Sequence, residues 1–405
     1  MLFRSIRYIL FIFALLLMPA GYAFADETLQ QKIQNILNDK TTDDHYVRFK
    51  TAYDTVGKYN LQLPFEEVMP LYDNVLLSFA EKKITDKRKL NMAKAYIYNN
   101  ISAIYEVRGD PGYEADMEAF MTKAIEFADL SEDNAVRKHT YRNYGYFQST
   151  YGSVQLAHEY LYKAIALNET LNNYNGIFDC LYLIAENLLQ TRDITGLRKV
   201  MEQMQQVIEK PAFDGNPRCF YDLYSIQGVY FTVLFEDNPE ITAYNDSALM
   251  AMRKTIHVAE KNRGRLDAPV GFVYYNMSVA YRNSYPNQYD SIYYFLDKAL
   301  EYKRGFKPVD IELEISVYEL FAEVHFAQKN YRQAEKDAQY VLSLLEQVNE
   351  HNSVVTEYTE IYKFLVMYYE TMNRPEEALK YHKLLLENEK SGTTTIKLPQ
   401  WTICW

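Results

Sequence analysis

The stretch Tyr318–Leu345 reads YELFAEVHFAQKNYRQAEKDAQYVLSLL, and its spacing predicts two helices rather than one. Tyr318, Phe321, Ala322 and His325 fall at i, i+3, i+4 and i+7, one face of a helix. After the turn Gln328-Lys329-Asn330, the residues Ala334, Ala338, Val341 and Leu345 share a face of a second helix. The small side chains Ala322, Ala334 and Ala338 let the two axes approach closely while the large ones fill the flanking gaps.

The same pattern recurs along most of the chain. Small or branched residues mark the middle of each first helix at Ser102, Gly145, Ala185, Gly228, Ser278, Ala322 and Val366, giving steps of 43, 40, 43, 50, 44 and 44. Around each marker the alternation of aromatic, small and aliphatic positions is kept. Tyr98, Ile101 and Tyr105 are answered by Phe120 and Ala124. Tyr141 and Tyr144 are answered by Ala157, Leu161 and Ala164, and Tyr274, Met277 and Tyr281 by Ile292, Leu296 and Ala299. This order of residues resembles the tetratricopeptide (TPR) unit, although the step is longer than the 34 residues of the standard repeat. Tyr or Leu stands where that unit has an early Trp, and the Pro after its second helix is mostly lacking. The resemblance implies an all-α, superhelical solenoid of about eight antiparallel helix hairpins. The fourth unit is expected to carry an insertion at Glu236–Glu240 before its second helix. A short helix over Glu27–Asn38 and a degenerate pair, Tyr46–Tyr59 and Phe65–Glu81, precede the regular units.

The ends read differently. Arg4 and Arg7 precede an apolar run from Ile9 to Leu17 and the small-x-small site Ala23-Phe24-Ala25, the layout of a secretory signal peptide. The expected organisation is a leader over 1–25, a TPR-like array over 26–390 and an irregular tail over 391–405, with export to the periplasm. A retained N-terminal anchor is the alternative, but the run is short for a bilayer span. Net charge is −11 over 405 residues; without the two leader arginines it is −13. Such an acidic chain has no electrostatic case for nucleic acid or for stable binding to anionic lipid.

No phosphate-binding glycine loop, zinc-protease helix or nucleophile elbow is present. The seven histidines are scattered over separate units. His325 reads as a packed core ring and His382 as helix surface. Cys180, Cys219 and Cys404 show no metal spacing; Cys180 and Cys219 are either buried thiols or, in an oxidising compartment, a disulfide. The reading is of a non-enzyme without cofactor or metal.

In a helix-hairpin solenoid the first helices line the concave face. Positions about each marker then place Asn99, Arg142, Tyr146, Tyr182, Glu186, Tyr275, Arg282, Glu319, Glu323 and Lys363 in the groove, with no packing duty of their own. Large amphipathic or forked side chains of this kind dominate binding hot spots. The array is similar to exported TPR sensory regions of bacterial membrane-bound regulators. That resemblance implies an interaction module, or the truncated sensor half of such a regulator, taking a protein or peptide in the groove. A soluble glycan-binding component of an outer-membrane uptake system is the alternative, with a small glycan as ligand.

Overall fold

The computed structural model describes residues 28–60, 63–108, 113–266, 268–302, 308–349 and 357–391. The leader over 1–25 and the tail beyond Ser391 lie outside the described residues.

Among the described residues the chain is helical throughout. Helices α1 (Leu29–Asn38) and α2 (His45–Gly57) are followed by α3, which runs through Phe65–Pro70, a wider π-helical stretch Leu71–Leu77, and Ser78–Lys83. The widening starts just after Pro70, which removes an amide donor and crowds the preceding turn. Seven hairpins follow: α4 (Lys87–Arg108) with α5 (Glu114–Ser131), α6 (Asn134–Tyr151) with α7 (Val154–Thr170), and α8 (Tyr174–Gln190) with α9 (Ile194–Ile208). Next come α10 (Pro217–Asp237) with α11 (Thr242–Lys261), and α12 (Val270–Ser284) with α13 (Tyr289–Glu301). The array ends in α14 (Pro308–Ala327) with α15 (Tyr331–Asn349), and α16 (Glu357–Thr371) with α17 (Pro375–Ser391). The expected fold is the observed one.

The turns explain why hairpins form locally. Asn172, Arg192, Lys329 and Asn373 adopt the left-handed conformation. In each case the next amide bonds back to a carbonyl five residues earlier, as Asn173 does to Asn168 and Asn330 to His325. This is the Schellman closure, which satisfies carbonyls at a helix end. The residue after the left-handed one can at once cap the following helix: Asn173 accepts from the Gly176 amide and Asp193 from the Gly196 amide. One short stretch therefore stops one helix and starts the next.

All seven marker residues are buried. Gly145 shows what the small side chain is for. A Cβ added there would lie 2.6 Å from Leu161 Cγ and 3.2 Å from the Ala157 carbonyl oxygen. Gly145→Ala is therefore expected to lower the unfolding free energy by about 1–3 kcal/mol through overpacking of α6 on α7. Urea denaturation measures it, and an unchanged midpoint would refute the close approach.

The core is a relay rather than a centre. Leu161, Leu181, Leu197 and Leu223 form one buried cluster over α7–α10, and Tyr221, Leu249, Val273, Leu296 and Val317 another over α10–α14. Ile315, Ala338, Leu365 and Tyr381 continue it to α17. Each hairpin contributes to two neighbours, the expected energetics of a stacked array. The long step between Gly228 and Ser278 does arise before α11, as expected, but partly as helix: Glu236 and Asp237 extend α10, the turn 238–241 follows, and α11 starts 14 residues after Gly228, where α9 starts 9 after Ala185.

Candidate functional site

Which face is inner follows from how neighbouring hairpins touch. The first helices of consecutive hairpins pack on one another: α4 on α6, α6 on α8, α8 on α10, α12 on α14 and α14 on α16. Second helices instead pack on the first helix of the next hairpin, as α7 does on α8 and α11 on α12. First helices are thus the more closely spaced layer and form the inner side of the curve.

Polar side chains bridge that layer from hairpin to hairpin. Asn99 Nδ2 donates to Thr140 Oγ1 at 2.8 Å, and Asn187 Nδ2 to Ser149 Oγ at 2.9 Å. Arg142 donates through Nε and an Nη to the two carboxylate oxygens of Asp179, at 2.7 and 3.2 Å. Arg282 pairs with Glu323 from α12 to α14. These contacts correct one expectation. Asn99, Arg142 and Tyr182 are not idle groove residues but buried ones, 2%, 7% and 8% exposed. Adjacent first helices come close enough to desolvate them, so each was given a packing or pairing role.

The structure sorts the ten candidates into two groups of four and two separate residues. Arg142, Tyr146, Tyr182 and Glu186 come together on α6 and α8. Tyr275, Arg282, Glu319 and Glu323 come together on α12 and α14, where burial and then the Glu319 charge push the Tyr275 phenol upward. Asn99 is tied into the α4–α6 ladder. Lys363 stands apart on α16, exposed and paired with Glu360 at 2.8 Å.

The first group is the richer. It recruits three residues that spacing alone did not single out: Asp179 on α8, and Arg218 and Asp222 on α10. Arg218 Nε lies 2.8 Å from both oxygens of Asp222, and Asp222 is 6% exposed. Burial pushes the Asp222 carboxyl up to about 6 against the pull of Arg218. Glu186 lies between the two arginine–aspartate pairs and is itself ion-paired to neither arginine. Its carboxyl is pushed up to about 8, first by burial and further by the charges of Asp222 and Asp179. A hydrogen bond with the Tyr182 hydroxyl and the charge of Arg218 oppose that rise. The Tyr146 ring lies 5.7 Å from the Arg142 guanidinium carbon and remains half-exposed beside this layer.

Elsewhere the chemistry is quiet. His325 Nδ1 lies 2.7 Å from the buried Asp337 carboxylate and the ring packs by Tyr293 and Phe321, a satisfied core histidine as its spacing implied. Cys180 and Cys219 are separate buried thiols. Among the described residues no group of His, Cys, Asp and Glu is arranged to hold a metal, and no helix is long and apolar enough to cross a membrane. A second concavity of about 700 Å³ opens on the other side of the layer, between α9, α10 and α11. Met201, Gln205, Tyr230, Phe231, Leu234 and Tyr244 line it.

No protein-family model matches the sequence, and no curated protein matches it significantly. Solved structures do match the fold. The apo form of the quorum sensor NprR from B. thuringiensis is 12% identical, with a TM-score of 0.54 over 89% of this chain and 97% of its own. A STAND protein with a tetratricopeptide repeat sensor, PH0952 from Pyrococcus horikoshii, is 15% identical with a TM-score of 0.51 over 90% of this chain and 53% of its own. A Rap protein complexed with Competence and Sporulation Factor is 13% identical, with a TM-score of 0.51 over 90% and 91%. At such identities the likeness establishes architecture: the chain is a TPR-like helical-repeat protein.

Proposed function

We propose that this protein is an exported interaction module that takes an extended peptide segment along the inner face of its first helices, centred on α6, α8 and α10. The observation that carries the reading is the polar layer there. Two arginines, three carboxyl groups and two tyrosines are gathered on the inner faces of three successive helices, where a core of hydrophobic side chains would hold the array together at less cost. Strongly perturbed groups gathered on a concave surface make a functional-site candidate with a physical rationale. The neighbours of like fold, described as a quorum sensor, a repeat sensor and a protein in complex with a factor, are consistent with this use. They add nothing to the glycan alternative. The basic start, apolar run and Ala-x-Ala site of residues 1–25 support export with removal of the leader.

Tyr182 is too deeply packed to probe binding without disturbing the fold, so Tyr146 is the better test. Random heptapeptides selected for binding to the full chain should lose affinity by about 2 kcal/mol in Tyr146→Ala, as removal of an aromatic anchor does. They should bind normally to Tyr244→Ala, which alters the outer concavity. Circular dichroism would establish that both variants keep their helicity. Loss in Tyr244→Ala alone would move the site to the outer groove, and failure to select any peptide would overturn the reading.

A further inference from the structure

The carboxyl groups on the inner face of α6, α8 and α10 outnumber the arginines there by one. Arg142 is matched by Asp179 and Arg218 by Asp222, each with short hydrogen bonds. Glu186 is the carboxyl left over. It is partly accessible on the inner side of α8 and lies beside the Tyr182 hydroxyl, with no cation among the described residues within ion-pair distance. The charged and titratable groups that face it are Tyr182 and Asp179 from its own helix and Arg218 and Asp222 from α10; Arg142 and Tyr146 stand on α6 beyond Asp179. A second observation comes from α10. Arg218, Asp222 and Ser225 follow one another at i, i+4 and i+7 and so share a face, and the buried Ser225 hydroxyl has no hydrogen-bond partner among the described residues. Buried polar groups without partners are uncommon and call for an explanation.

We propose that this face binds a single organic cation, the ammonium or guanidinium of a lysine- or arginine-bearing peptide, by ion pairing with the Glu186 carboxylate between the two arginine–aspartate pairs. The proposal rests on the peptide-groove reading and names the side chain that the groove selects. The cation stabilises the ionised form of the Glu186 carboxyl. The half-exposed Tyr146 ring, already beside one guanidinium, offers an aromatic face of the kind cations seek. An anion is disfavoured, because both arginines are engaged and the remaining group is a carboxyl, which can become negative but not positive. Binding carries a proton balance. The protonated carboxyl gives its proton to solvent as the cation arrives, leaving a carboxylate–ammonium or carboxylate–guanidinium pair. Affinity therefore rises with pH until Glu186 is ionised without the ligand.

Blocked pentapeptides randomised one position at a time, with binding read by fluorescence anisotropy at pH 6, 7 and 8, test this on the full chain. At one position Lys or Arg should bind roughly tenfold or more tightly than norleucine or citrulline, the gain of one charge-assisted contact. Between pH 6 and pH 8 that affinity should rise on the order of fiftyfold, one proton released per peptide. Glu186→Gln, which keeps shape and hydrogen bonding, should abolish both effects; Tyr182→Phe should move the pH dependence while keeping the preference. Peptides that bind without preferring a cation, or that prefer one equally in Glu186→Gln, would overturn this proposal and leave the groove standing. If no peptide binds, the groove reading falls and this one with it.

Discussion

Replacing Arg218 with Met is expected to lower the unfolding free energy by about 3–5 kcal/mol at pH 7, because it strands a buried carboxylate. The asymmetry of the pair is the reason. Asp222 has 9% of its side chain exposed and Arg218 has 24%, and both Asp222 oxygens accept from Arg218 Nε at 2.8 Å. The arginine can regain water when the pair is broken; the aspartate cannot. Asp222 already titrates near 6 with its partner present, and without it the carboxyl will hold its proton to still higher pH. The loss should therefore shrink when the variant is measured at pH 5, where Asp222 is neutral in either protein. Arg218→Met combined with Asp222→Leu should recover most of the stability at pH 7, since an apolar pair of similar volume replaces both charges. Urea denaturation of the two variants at both pH values decides it. A loss below about 1 kcal/mol at pH 7, typical of exposed pairs, would mean that solvent reaches Asp222. Because neighbouring hairpins share their core, the defect should open the middle of the array, visible as faster amide exchange in α8 and α10 than in α16.

The fold was legible because a hairpin solenoid is specified locally. Gly145, Ala185 and Ala322 could be recognised as contact points from single hairpins, since their partners Leu161, Leu197 and Ala338 lie within about forty residues and repeat in register. The turns were legible for the same reason, as Asn172-Asn173 and Lys329-Asn330 each end one helix and open another. The inner face was legible only in part. Taking residues beside each marker found Arg142, Tyr146, Tyr182 and Glu186, but it read one hairpin at a time. The Arg142–Asp179 pair joins two hairpins, so no single unit shows that Arg142 is occupied. The missing aspartates did leave a signal one turn earlier. Asp179 and Asp222 each stand six residues before their markers, Ala185 and Gly228, and His139 holds the same place before Gly145. Extending the inward stripe by that turn would have recovered them, because i and i+3 positions share a face. Burial was the part that no spacing could give. How closely one first helix approaches the next depends on the packing of four helices at once, and that approach made Asn99 and Tyr182 core residues.

Glu186 carries a stability cost that can be measured without any ligand. Its carboxyl ordinarily titrates at 4.5 and in the folded protein is pushed up to about 8. The folded state thus binds the proton more tightly than the unfolded state does. For a group shifted in this direction, the stabilising contribution is complete below pH 4.5 and is lost as pH rises toward 8. Asp222 has the same sign but exhausts its effect by about 6, so between pH 6 and pH 8 Glu186 acts alone among the two. Each pH unit in that window is worth at most about 1.4 kcal/mol, and residual solvent around a partly accessible carboxyl trims the total to about 2 kcal/mol. Glu186→Gln cannot titrate. Comparing it with the unaltered protein at each pH cancels every other ionisable group, His139 included. The variant should gain on the unaltered protein by about 2 kcal/mol between pH 6 and pH 8, read as a growing difference in urea midpoint. A constant difference across that range would place the carboxyl in water and remove the reason for a cation to seek it. A growing difference together with lost cation preference would identify Glu186 as a group whose burial lowers stability at neutral pH and whose charge is completed only by a ligand.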